Sequence, residues 1–456
     1  MRGLIIITLF WYIAFCNGAT ITAVSCSLLD VSNSVANASQ GDTIIVPSGN
    51  ATWTDEIRVS YKSIRIIFAE IGQTTITRDT TGSNSKRALF FLMDTTNTCY
   101  LSGATWRTVN PATFGIIGWG TAGPFKQQSI ARFTRLKVIY TPSGAGISAS
   151  GSRGITISGA YGVIDHCWLE STNASGGQMI TIDTDNNAST SNTWHTVQSL
   201  GDTNCVCIED CVFSGFAPND GAIDMYVGMK ATVRYFISTN TNFGTHGYDS
   251  SIRSSKSLEC YMGQIYNTGT QAAPGYAFKL RGGTGVFWSN TVINISGTGI
   301  GSGLTHQYYR ADTNCISLDT CPSICNGSSL EDGNFDSYGY PGLDQSGRGS
   351  FSVSSTWKSG AASYATNDYE ALEPVYQWNN TIDGTNWLQS VTLNPGQDTN
   401  YVVNPTRLIQ PNRDYYDNIA RPGYAPLSYP HPLVVAQDGN NTPRTSRIRG
   451  ISLMAR

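Results

Sequence analysis

The chain has 456 residues, a formal net charge of −3, 13% charged residues, 47 Gly and 23 Tyr. It carries no basic tract and no run of like charge, which excludes an electrostatic footprint for nucleic acid or a membrane surface. Length alone suggests two or three domains, but a solenoid grows in one direction without splitting, and the repeats described below favour that single long domain.

In chain order, MRGLIIITLFWYIAFCNGAT places Arg2 before an apolar run from Leu4 to Cys16 and small residues near Gly18. That is the layout of a secretory signal peptide over residues 1–18, and it predicts a secreted protein, extracellular or periplasmic. The run is too short for a membrane span, and no other stretch is apolar enough to cross a bilayer. Eleven cysteines less Cys16 leave ten, an even number compatible with disulfides outside the cell. Cys315, Cys321 and Cys325, with His306 upstream, match no standard zinc spacing and read as a disulfide-stapled loop. Cys167 and Cys211 fall at equivalent repeat positions, where they either stack as inert small side chains or pair across rungs.

Residues 19–57 read as a cap. Leu28, Val31, Val35 and Ala38 lie at helical spacing, and a Gly-Asp turn then leads into the β run Thr43–Val46. A helix laid across the open end of a solenoid protects a sheet edge and a core. From 58 to 300 short alternating strands follow one another with Gly and Asn corners. Ile164, Ile208, Val233, Cys260 and Trp288 line up as equivalent positions, at steps of 44, 25, 27 and 28 residues. Such a period means stacked units, none able to bury its apolar face alone. A second ladder runs through Met179–Asp183, Ala222–Val227 and Tyr276–Arg281. Stacking puts Ile180, Ile223 and Phe278 inside, Thr181, Asp224 and Lys279 in one outer column, and Asp183, Tyr226 and Arg281 in the next. Residues 301–394 are irregular and rich in Cys and Gly. The Pro-, Tyr- and Asn-rich tail, 395–456, is expected to pack along the coil or close its far end, and its prolines argue against central strands.

The helix followed by GDTIIVPSG resembles the start of right-handed parallel β-helix proteins of the pectin-lyase-like class, and the coils from about Arg58 to Ser296 are similar to that class. GYPGLDQSGRG, LEPVYQWNNT and the RDYY…PGY…YPHPL ending resemble segments of uncharacterised secreted bacterial β-helix proteins. The resemblance implies an all-β solenoid with an N-terminal capping helix, an irregular C-terminal tail and ligands along one outer sheet.

Between the rungs of Asp224 and Lys279, FGTHGYDSSIRSSK adds His246, Tyr248, Asp249 and Arg253, the densest ionisable cluster in the chain. A polysaccharide lyase must neutralise a uronate carboxylate and remove the C5 proton. Lys279 or Arg281, helped by Arg253, can bind the acid, and His246, Tyr248 or a lysine of lowered pKa can take the proton. Asp224, Tyr226, Tyr248, Asp249 and Asp183 complete a substrate-binding wall. Asp183, Asp224 and Asp249 alternatively suit a Ca²⁺ ion bridging to the substrate. A plainer reading makes Asp224 with Lys279, and Asp183 with Arg281, stabilising pairs on neighbouring strands. Asp165, His166, Glu209 and Asp210 read as corner or exposed residues on the other ladder.

THG at Thr245–Gly247 and KLR at Lys279–Arg281 are similar to the His-Gly and Arg-x-Lys elements of polygalacturonases, but the adjacent Asp-Asp pair and the NTD element are missing and KLR is reversed. The R-x-P-x-x-R motif of pectate lyases is missing too. The sequence therefore predicts a polysaccharide-binding protein that acts on acidic glycan by lyase-type elimination. A glycoside hydrolase on the same fold and a non-catalytic adhesion or matrix protein are the alternatives.

Overall fold

A strand of four or five residues buries alternate side chains on one face only, so each short run here is completed by the rungs above and below it. The computed structural model describes residues 18–80, 86–94, 97–109, 115–121, 126–140, 153–171, 178–183, 199–215, 221–226, 228–247, 254–269, 275–295, 299–308, 345–351, 370–393 and 409–438. They form a right-handed parallel β-helix with three walls. The first wall is a 12-stranded sheet from Thr20–Thr22 to Tyr415–Asp417, and the second is 11-stranded, from Gly49–Trp53 to Thr385–Asn386. The third is built from a six-stranded sheet, Ile57–Ser60 to Ile223–Met225, continued by a four-stranded one, Phe243–Gly244 to Gln389–Leu393. The coils thus extend to both sides of residues 58–300.

The capping helix spans Leu28–Asn37, and its buried face carries Val31 and Val35. Ser27 caps its start by accepting from the Asp30 amide, and the Lys62 ammonium donates to the carbonyls of Val35, Ala36 and Ala38 at the other end. A strand that the sequence did not suggest, Thr20–Thr22, precedes the helix and pairs with Thr43–Ile45.

The corner from the first wall to the second repeats on successive rungs: Arg135, His166, Asp210, Tyr235, Met262, Ser289 and Asn379 all adopt φ between 52° and 59°. One left-handed residue per corner explains why polar residues recur there. The residue after it points inward, which stacks Cys167 and Cys211. Both are free and buried, with their Sγ atoms against backbone carbonyls. The cross-rung disulfide is therefore not formed, and all seven described cysteines are free. Cys315, Cys321 and Cys325 lie outside the described residues, as does the leader up to residue 17. Among the described residues no helix is long and apolar enough to cross a membrane.

The predicted register holds from Ile164 through Ile208 and Val233 to Cys260. It then slips by one, because Cys260 pairs with Phe287 and Tyr261 with Trp288. Trp288 consequently faces outward and stacks between Tyr261 and Trp378, at centroid distances of 4.6 and 5.9 Å.

Candidate functional site on the third wall

Ile180, Ile223 and Phe278 are all interior, and Thr181 pairs with Asp224. Lys279 is not the next outward residue, however. Phe243–Gly244 forms a rung of its own, with Gly244 paired to Lys279 and Phe243 to Phe278. Phe243 fills the interior of that rung, with ring centroids 5.1 Å from Phe213 and 4.7 Å from Phe236. Asp224 and Lys279 are therefore two strand spacings apart, ~10 Å. Asp183 and Arg281 are further apart still, with Tyr226 and His246 between them. This overturns the reading of these residues as charge pairs on neighbouring strands.

The extra rung makes a seam between the two sheets of the third wall, bridged by the Ala222 amide to Asn242 (2.6 Å) and the His246 amide to Met225 (2.9 Å). At this seam Tyr226 and His246 stack face to face, 4.2 Å between centroids. Tyr226 donates its hydroxyl to Asp224, which also accepts from Gln178 Nε2 at 2.5 Å. Thr181 Oγ1 holds the other end of the Gln178 amide at 2.7 Å. Sequence reading missed Gln178, and its signal was position alone, since it begins the strand carrying Thr181 and Asp183. Burial raises the Asp224 pKa, opposed by Arg281, the Tyr226 hydroxyl, Lys279 and Arg153. Asp183 accepts from Ser158 Oγ at 2.5 Å.

His246 Nδ1 lies 3.0 Å from the Gly247 carbonyl. A carbonyl only accepts, so Nδ1 carries the proton and Nε2 holds the basic lone pair. Arg281 is tied to Thr245, its Nε 2.9 Å from the carbonyl and its amide 3.0 Å from the hydroxyl, while the Lys279 ammonium sits 5.7 Å from the Tyr276 ring centre. Asp224, Lys279 and Arg281 are buried; Tyr226, His246 and Asp183 are half-buried. The sequence expected an exposed wall, whereas these groups are packed against one another and their surroundings. Tyr248, Asp249 and Arg253 lie outside the described residues. Among the described residues no three metal-ligating side chains converge, and Asp183 and Asp224 stand as two carboxylates on adjacent rungs.

The first wall is closed by the C-terminal segment, which runs back along it. Arg421 pairs with Glu373, Tyr424 donates to Glu259, Tyr429 to Asp210, the His431 amide to Glu209, and Asp438 meets Arg132. Asp165 and Glu209 are inaccessible there, paired with Arg132 and Arg234. His166 bonds Asp165 at 2.9 Å, which raises its pKa. His166 and Asp210 are corner residues as read, and His166 is exposed, whereas Asp165 and Glu209 are buried strand residues that hold the wall and the segment. His306 is interior, between Ser346 and Gln389. The third wall brings together a base, a phenol and two cations.

Neither a protein-family model nor a curated protein matches the sequence. Solved structures with a similar trace include an alginate lyase from Paenibacillus sp. str. FPU-7, 14% identical, covering 63% of this chain and 97% of that one at a TM-score of 0.35. The PL6 family polysaccharide lyase Pedsa3628 from Pseudopedobacter saltans is 14% identical over 90% of this chain and 97% of its own, at 0.36. ORF18 of Geobacillus virus E2 is 15% identical over 63% and 58%, at 0.37.

Proposed function

We propose that the third wall binds a uronate-containing polysaccharide and cleaves it by β-elimination. The observation that carries this reading is the His246–Tyr226 stack, set between Asp224 and the Lys279–Arg281 pair with Nδ1 committed to Gly247. Arg281 neutralises the uronate carboxylate and so acidifies the C5 proton. His246 Nε2 takes that proton, the electron pair becomes the C4–C5 double bond, and the C4–O bond breaks. The leaving oxygen is protonated by Lys279. Tyr226, its hydroxyl fixed by Asp224, offers a sugar a rigid polar face.

Acidic polysaccharides are expected to yield unsaturated uronate, followed by its ultraviolet absorbance. Lys279→Ala and His246→Ala should each lower kcat by about a hundredfold or more. New reducing ends without that absorbance would point to hydrolysis. The burial of Asp224, Lys279 and Arg281 favours one rival, a non-catalytic adhesive scaffold. Glycan binding with no turnover at all would establish that rival.

A further inference from the structure

We infer that the third wall carries an anion subsite on the N-terminal side of the His246 stack, formed by Arg58, Arg87 and Arg153 around Gly118 and Gly120, which receives further carboxylates of the same polysaccharide. The inference rests on the reading above and extends it to several sugar residues.

Arg58, Phe90, Gly118, Thr156, Thr181 and Asp224 are successive partners across one sheet, so they form a single outer column leading to the proposed centre. From the rung of Arg58 to that of Lys279 there are seven strand spacings, ~34 Å. A pyranose in an extended chain rises by about one such spacing, so a polysaccharide laid across the strands meets roughly one rung per sugar.

The column is shaped to hold cations. A Cβ on Gly118 would come within 2.4 Å of Thr156 Oγ1 and 3.3 Å of Arg87 Nε, and one on Gly120 within 3.3 Å of the Phe90 ring. The two glycines thus open a trough into which Arg87 folds, with Nε donating to Thr156 Oγ1 at 2.8 Å and Cζ 4.1 Å from the Phe90 ring centre. Arg58 reaches the same ring, 5.6 Å from its centre; its Nε and Nη2 donate to one oxygen of Glu56 at 2.9 and 2.8 Å, and its side chain is 54% exposed. Phe90 therefore underlies two guanidiniums, one oriented by Glu56 and the other by Thr156.

Arg153 is half-buried at the start of the next rung but one, and its buried Nε has no partner among the described residues. It starts the rung that carries Thr156 and pairs with Gln178, the donor to Asp224, which places it between the trough and the proposed centre. Burial brings the Arg87 pKa down to about 10; Glu56 and Asp183 oppose that shift, and the charges of Arg58 and Arg153 add to it. Arg58, Arg87 and Arg153 are faced by Glu56, Asp183 and Asp224, and the arginines outnumber the acids at the Arg58–Arg87 end, where Glu56 is the carboxylate in contact. An acidic ligand relieves the repulsion among the arginines, which a neutral one cannot do.

The test is carried out in the His246→Ala protein, in which turnover is slowed by about a hundredfold or more. Long chains and trimers of sodium alginate and sodium polygalacturonate are the probes, and neutral dextran is the control. Arg58→Gln/Arg153→Gln should weaken binding of long acidic chains by about tenfold or more and lessen its salt dependence, while trimer binding is unchanged. Arg58→Gln alone, at an exposed position, should show part of the same loss. Undiminished binding of long chains by the double variant, with binding still lost in Lys279→Ala, would remove the subsite and leave the proposed centre standing. If the parent protein binds neither acidic polymer more tightly than dextran, the centre and the subsite fall together.

Discussion

Arg234→Met is expected to destabilise the protein by about 3–5 kcal/mol and to release the C-terminal segment from the first wall. Arg234 is fully buried, and its Nε and Nη2 donate to one oxygen of Glu209 at 2.9 and 2.6 Å. Its remaining donors reach the Leu427 and Ser428 carbonyls and the Tyr261 hydroxyl. One guanidinium therefore joins three rungs to a segment some two hundred residues later in the chain. Methionine fills much of the volume but leaves Glu209 as an uncompensated charge at 1% exposure, and it strips two carbonyls of their donors. Arg234→Met/Glu209→Gln should lose less than the single variant, because no buried charge is then unpaired. Denaturant midpoints together with limited proteolysis of 421–438 check this. A single variant that keeps the wild-type midpoint and a protease-resistant tail would show that the segment is held by its other contacts.

The fold was legible because it is written as a period. The rungs of Ile164, Ile208, Val233 and Cys260, and the interior places of Ile180, Ile223 and Phe278, follow from alternation alone. Alternation fails where a rung is only two residues long. Phe243–Gly244 has no alternation to detect, so Asp224 and Lys279 read as neighbours when a rung separates them. It fails again at Phe287–Trp288, where two adjacent aromatic residues suit the inward position equally well and only stacking on Tyr261 and Trp378 settles which faces out. The C-terminal segment was illegible for another reason. Its grip depends on Arg132, Glu209, Arg234 and Glu259, whose partners Asp438, His431, Leu427 and Tyr424 lie far along the chain, and no local pattern encodes such a contact. The grouping of the candidate residues was half legible: His246, Tyr226 and the two cations lie on one wall, but the tautomer set by Gly247 and the Gln178 link needed coordinates.

Acidification from pH 6.5 toward 4 should remove the share of the protein's stability that His306 holds. Its ring lies inside the coil, fully buried, stacked on Tyr415 at 4.8 Å. Nε2 is 2.7 Å from Gln389 Oε1 and Nδ1 is 2.6 Å from Ser346 Oγ. A neutral imidazole satisfies both contacts, donating to the amide oxygen and accepting from the hydroxyl, so burial holds the pKa down at about 4. The unfolded chain binds the proton from about pH 6.5 downward. The stabilisation is therefore complete above that value and is lost as pH falls through the interval to the folded pKa, amounting to about 3 kcal/mol. His431, also held at about 4 by burial and by Arg234, acts with the same sign. Asp210, raised to about 6 by burial, acts oppositely, because the folded state then holds its proton more tightly. Asp224 and Glu259, raised by burial, act with Asp210, so the share held by His306 is read from the difference between wild type and a His306 variant. His306→Gln should be less stable than wild type at pH 7 yet lose less on going to pH 4.5, so that the two stability curves converge. Parallel curves from denaturant titrations across this range would show that the ring does not take up its proton on unfolding.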